Sequence, residues 1–454
     1  MTYESRHEPG TPWPLPGWTH RCVPILTVAI ALACSDTSPA QPGGPETQPP
    51  GGGTPSNPSA AAGTIAYVQQ GSEIRLIKPD GTGDRLLWRT PQSDLGFTVS
   101  GISWRPDGAE LAFSSNHEMA TSWFERDVYA VGADGTGLRK LTNAPSYEKL
   151  GGMTKGTVTV RLQNVNAPPG PYFVYITGAA EPQQITLSAG SARTLTFTNV
   201  ADLGPNVEQV VVAINGIARW FGSAVADVRS GQTTDAGQLT ITAFSGIEHY
   251  GADAPFWRAD GSRVGYFSLP ACFLMHISAN PPAGPSQRQL LDPNVFGPTC
   301  AADWGPTPAT ADQLIYLDER NYTAKGQLEL YRVSEGNGTR GQPIVTIDNY
   351  ARLIDLRWLP DGSGFLYARQ NALTDEAINI HAYDFATRTT RQITRFSGQF
   401  VRRFAISPDG KFIVFERVTA LNSPSDLWVM GIDGSNPRLL VRQAEMPAWN
   451  PRAQ

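Results

Sequence analysis

The tripeptide Pro-Asp-Gly returns along this chain inside one recurring hairpin. It stands within Ile102–Ser115, Leu356–Arg369 and Phe404–Arg417, and Pro255–Ser268 carries the variant Ala-Asp-Gly. A short apolar strand ending in Trp or Ile leads in, the Asp-Gly turn reverses the chain, and an alternating apolar strand leads out. A second half follows each hairpin: a strand, a turn and a last strand ending in Leu-Thr or Leu-Leu, as in Glu73–Leu87, Asp127–Thr142 and Asp426–Leu440. One unit is therefore four antiparallel strands. A lone sheet of this kind leaves both faces bare. Stacking several around an axis covers the faces and leaves only short edges.

Later units begin near Gly101, Ala254, Ala301, Leu353 and Phe404. The first opens at Gly63–Val68, in the place of a second strand. Its missing first strand is predicted at Met446–Pro451, where Trp449-x-Pro451 repeats the pattern of Trp104-x-Pro106, Trp304-x-Pro306 and Trp358-x-Pro360. The predicted fold is all-β, a six-bladed β-propeller whose first sheet is closed by that late strand. Between the second and third units the composition shifts to Val, Thr, Gly and Ala. Gly156–Val165, Gly170–Gly178, Gln183–Val200, Glu208–Gly216 and Ala236–Phe244 alternate as strands do. Short strands with frequent turns predict an immunoglobulin-like or transthyretin-like β-sandwich. The expected divisions are blades 1 and 2 at 63–152, the insertion at 153–245, and blades 3 to 6 with the closing strand at 246–454.

The W-x-P-D-G hairpin, followed by Asp-Gly-(Ser/Thr) and Arg-x-Leu-Thr, resembles the WD40-like repeats of TolB-type six-bladed propellers, over 63–148 and 246–454. Asp227–Ile241 is similar to the closing strands of carboxypeptidase regulatory-like modules. The stretch ahead of the repeats reads as leader and tether, where TolB carries an α/β domain.

Cys22–Cys34 is an apolar run after Arg21, too short to span a bilayer and suited to the core of a signal peptide over 1–34. Ala31-Leu32-Ala33-Cys34 resembles a bacterial lipobox. That likeness implies lipidation of Cys34 and an exported protein, periplasmic or on the outer membrane or cell surface. Residues 35–62, rich in Pro, Gly and Ser, form a tether with nothing to bury. Net charge is −5, and no basic cluster exceeds a pair such as Arg402-Arg403, which argues against nucleic acid as a partner. Contact with a membrane is expected only through the lipid. Cys272 and Cys300 are the two cysteines beyond the leader, and in an exported chain they predict a disulfide.

Gly supplies the positive φ of tight turns and Asp caps them, so the repeated Asp-Gly pairs read as turns rather than calcium loops. Trp104, Trp257, Trp304, Trp358 and Trp449 share one phase of the repeat and read as packing between sheets. Trp123, Phe124, Tyr147 and Tyr250 fall outside that phase and are the candidate contact surface. His117, His249, His276 and His381 lack metal-ligand spacing, and no Gly-x-Ser-x-Gly elbow occurs. The inward positions expected at the start of each first strand are Gly101, Ala254, Ala301, Asp355, Arg402 and Pro447, a poor ligand set. No catalytic, metal or cofactor residue is expected. The sequence therefore reads as a non-enzymatic, envelope-tethered, monomeric binding or scaffold protein for an envelope protein or polysaccharide. The alternative is a propeller enzyme, a polysaccharide lyase or lactonase-like hydrolase, working in the central funnel. A purely structural surface protein or a sensor input module is the third class.

Overall fold

A computed structural model of the chain describes residues 61–91, 97–118, 126–143, 152–179, 182–204, 209–215, 220–243, 251–269, 273–281, 288–289, 301–318, 328–334, 342–347, 353–370, 376–420 and 423–452. Those residues form six four-stranded antiparallel sheets and one seven-stranded sheet. Sheet one pairs Ile65–Gln69, Glu73–Ile77 and Arg85–Arg89 with the distant Ala444–Trp449. Sheet two runs from Val99–Trp104 through Glu110–Ser115 and Asp127–Gly132 to Arg139–Lys140. The first strands of sheets three to six are Gly251–Trp257, Ala302–Trp304, Leu353–Trp358 and Phe400–Ile406, and each sheet then continues in chain order.

The second strands read as unbroken apolar runs because both their faces are covered. In Ile65–Gln69, Ala66 and Val68 pack toward sheet two while Ile65 and Tyr67 pack toward sheet six. In Gly364–Arg369, Phe365 and Tyr367 meet sheet four while Leu366 and Ala368 meet sheet six. The same division recurs in the second strands of the other four sheets. Separate hydrophobic clusters join sheets one and two, two and three, three and four, four and five, five and six, and six and one. The protein is all-β and of β-propeller type. Trp104, Trp257, Trp304, Trp358 and Trp449 are all buried in these clusters.

The Asp-Gly turns are self-contained. Asp80 Oδ1 accepts the Thr82 amide at 2.8 Å and its hydroxyl at 2.7 Å. Asp134 with Thr136, Asp260 with Ser262 and Asp361 with Ser363 repeat the motif. The glycine after each of these aspartates has positive φ.

The seven-stranded sheet spans Lys155–Asn164 to Thr233–Ala243. Its two parts are hinged at Trp220–Ala226, which pairs with Thr233–Ala243 only through Trp220↔Ala243 and Phe221↔Thr242. Val158, Val160 and Leu162 from one part share a single cluster with Tyr172, Val174 and Val211 from the other. Trp220–Ala226 is a strand that the alternation pattern did not announce. It is rich in small residues, and Val225 points to solvent, 58% exposed.

Candidate functional site

The first strands of the six sheets all lend residues to a cavity of about 370 Å³. Each lends residues from the stretch around its Trp-x-Pro phase. The wall is two-sided. Sheets four to six supply Asp303, Asp355, Arg357 and Arg403. Sheets one to three supply mainly Met446, Pro447, Ile102, Pro255 and Phe256.

A β-bulge positions these side chains. Pairing slips at Ser100/Ile102, Asp253/Phe256, Leu353/Asp355 and Val401/Phe404, and again where Ile65–Gln69 meets Ala444–Trp449. A bulge bends the strand and leaves a residue without its ladder partner. Gly101, Ala254 and Met446 take φ of 57°, 48° and 54° at this point. First-strand amides are then met by side chains of the neighbouring sheet. Phe404 N donates to Asp355 Oδ2 at 3.1 Å, Trp358 N to Asp303 Oδ2 at 2.9 Å, and Met446 N to Glu416 Oε1 at 2.6 Å. Gly101 N lies 3.0 Å from Met446 Sδ. Asp253 takes the Ser100 hydroxyl and pairs with Arg126 at 3.7 Å. The tryptophans add a second set of crosslinks. Nε1 of Trp104, Trp257 and Trp358 donates to Ala448 O, Ser103 O and Asp303 O at 3.2, 3.1 and 3.1 Å. Trp304 Nε1 finds no acceptor among the described residues.

Burial governs the electrostatics. It pushes the Asp303 carboxyl up to about 6, against the opposing pull of Arg357 and the Trp358 amide. It raises Asp355 as well, although Arg357 Nη1 sits 2.8 Å from Asp355 Oδ1 and Arg403 is near. Glu416 is raised by burial against the Arg402 charge. For Arg403, burial works against the charge, but Asp355, Asp253, Glu416 and Glu445 together hold it above its ordinary range.

Of the inward positions expected from sequence, Gly101, Ala254, Ala301, Asp355 and Pro447 line the cavity. Arg402 does not. The bulge at Val401/Phe404 turns it to Glu416 at 2.9 Å and Glu445 at 3.8 Å, and Arg403 takes the inward place. Asp303 and Arg357 were missed. Both sit immediately before the tryptophan of their sheet, a position the Trp phase could have exposed. Cys34, Trp123, Phe124, Tyr147, Tyr250, His249, Cys272 and Cys300 lie outside the described residues. His276 and His381 belong to sheets three and five, and His117 lies in the turn after the second strand of sheet two. His117 bonds the Ser115 hydroxyl at 2.9 Å. His381 is 3% exposed, and burial lowers it to about 4. Among the described residues, no three His, Cys, Asp or Glu side chains gather in a way that could hold a metal ion.

No family model matches this sequence, and no curated protein does. Solved structures resemble it. TolB from Acinetobacter baumannii is 13% identical, with 86% of this chain and 67% of that one covered and a TM-score of 0.46. A chain of a nidogen/laminin complex is 8% identical, with 85% and 98% covered and a TM-score of 0.44. Oligogalacturonate lyase in complex with manganese is 12% identical, with 84% and 86% covered and a TM-score of 0.34.

Proposed function

We propose that this chain is a non-enzymatic binding or scaffold protein of the cell envelope. In this reading it is a six-bladed, TolB-like propeller closed by Ala444–Trp449, with a β-sandwich inserted between blades 2 and 3 and a lipid anchor at Cys34. The observation that carries the functional part is the fixing of the funnel carboxylates. Asp303 and Asp355 each accept a main-chain amide from the adjoining sheet, as Glu416 does just outside the lining. A carboxylate so held acts as a bolt between sheets, and moving it to ligate or to shuttle protons would break the bond it makes. Recognition then falls to the loops and to the funnel as a preformed recess. The closed ring is supported by the order of the sheet-to-sheet clusters and by the shared first sheet. The sandwich is supported by the single core between the two parts of the seven-stranded sheet. The partner class is an envelope protein or polysaccharide, met by a monomer.

The test is affinity capture from envelope extracts with the full chain and with a version lacking 153–244. A partner held by both assigns recognition to the propeller, and a partner lost on deletion assigns it to the insertion. The enzyme reading is favoured by one feature, an Asp303 carboxyl that burial pushes up to about 6 beside a cavity. Stoichiometric manganese or calcium in the purified protein, together with turnover of an oligouronide, would replace the scaffold reading with that one.

A further inference from the structure

We infer that the central cavity binds a small organic acid, with one carboxylate seated on Arg403 and an apolar body lying against the opposite wall. This rests on the binding reading and gives it a ligand class. The carrying observation is the state of Arg403. It lines the cavity half-buried, and its guanidinium has neither a hydrogen bond nor an ion pair among the described residues.

The surrounding acids are already engaged. Asp355 holds Arg357 and the amides of Leu356 and Phe404. Glu416 holds Arg402 and the Met446 amide. Asp253 holds Arg126 and Ser100. Their field keeps Arg403 charged without satisfying its donors. A guanidinium presents five N–H groups in a rigid fork, and leaving them unmet in a recess is costly. A carboxylate fits that fork with two parallel bonds. Arg357 adds to the same side, since among the described residues only its Nη1 is used, on Asp355 and on Leu356 O at 2.7 Å. A doubly charged phosphate fits less well, because Asp303 and Asp355 would repel the second charge.

The other wall sets the rest of the ligand. Met446, Pro447, Ile102, Pro255 and Phe256 offer carbon where sheets four to six offer charge. The volume, about 370 Å³, lies at the small end of ligand pockets and suits a body of roughly 10–20 heavy atoms. Free acids and the last residue of a peptide share this chemistry.

Isothermal titration of the full chain with N-acetylphenylalanine, N-acetylphenylalaninamide and acetate tests the inference. The acid should bind at least tenfold more tightly than its amide or than acetate. Arg403→Met should lose at least tenfold in affinity. Ser103→Phe, which fills the recess from the uncharged side, should lose as much while leaving every charged group in place. It keeps the test decisive if Arg403→Met fails to fold. A hexapeptide ending in phenylalanine separates the sources. Equal binding assigns a chain end, and binding of the free acid alone assigns a small molecule. Equal affinity for acid and amide, no binding of either, or unchanged binding in Ser103→Phe would overturn the inference. If the acid fails to bind while envelope capture persists, only the ligand class falls. If capture fails as well, the binding reading falls with it.

Discussion

Gly101 is a position where a single methyl group should do heavy damage. Its φ is 57°, and a Cβ built there would sit 2.5 Å from Ala254 Cα and 2.9 Å from Ala254 N. Those are main-chain atoms of the neighbouring sheet, so no rotamer change relieves the overlap. Gly137 is the matched control, with φ of 67° and nothing within 4 Å of the added carbon. Both substitutions incur the left-handed penalty of about 1–2 kcal/mol. Gly137→Ala should cost little more than that. Gly101→Ala must also push apart the first strands of sheets two and three, straining the Trp257 Nε1–Ser103 O bond. Overpacking adds about 1–3 kcal/mol and a weakened bond about 1 kcal/mol, giving a total of about 3–6 kcal/mol. Urea unfolding followed by tryptophan fluorescence reads the difference as a shift in midpoint. Equal midpoints for the two variants would refute the claim that backbone contact at the funnel fixes the spacing of the sheets.

Three further outcomes are expected. His381 stays neutral in the fold down to about pH 4, whereas the unfolded chain takes up its proton near 6.5, so stability present above 6.5 falls by about 3 kcal/mol as the pH drops to 4. Asp303, raised to about 6, has the opposite slope, with stability lost as the pH rises through 6. Comparing urea midpoints of the wild type and His381→Phe at pH 7 and 4.5 therefore isolates the histidine, and an unchanged slope counts against its burial. Trp358→Phe should cost about 1 kcal/mol more than Trp304→Phe, because only the first loses an indole hydrogen bond. Identical costs in chemical denaturation would contradict that assignment. Removing 444–452 should lower the melting temperature by about 10 °C or more beyond the effect of removing 35–60, since it strips a strand from sheet one and Trp449 from the cluster shared with sheet six. Calorimetry giving equal values for the two truncations would undo the idea of a shared sheet.

Much of this architecture is written in local chemistry. Asp-Gly turns announce themselves because left-handed backbone needs glycine and the following amide needs an acceptor. The Trp phase is readable because a large indole can be repeated at one depth only if each sheet offers the same slot. The shared first sheet was legible because Trp449-x-Pro451 repeats a pattern with no partner strand nearby in sequence. The cavity lining was not fully legible. A bulge shifts inward and outward positions by one, and nothing in Arg402-Arg403 says which side chain turns inside. That choice is made by Glu416, two strands' worth of chain away and 2% exposed at its side chain. Asp303 and Arg357 escaped notice because alternation counted from the strand start does not survive the slip in pairing. In the seven-stranded sheet, Trp220–Ala226 was hidden by Gly222, whose added carbon would lie 2.5 Å from Thr240 O. Close strand approach there selects against the β-branched residues that mark strands elsewhere.

The pairing of Ile65–Gln69 with Ala444–Trp449 also sets a timetable. Until a ribosome has passed codon 449, Ile65–Gln69 waits with one row of amides and carbonyls uncovered, while the sheets between are already made. An interrupted message or a proteolytic nick near the end thus yields a product with a naked strand edge rather than a slightly shortened protein, and such an edge recruits aggregation partners and quality-control proteases.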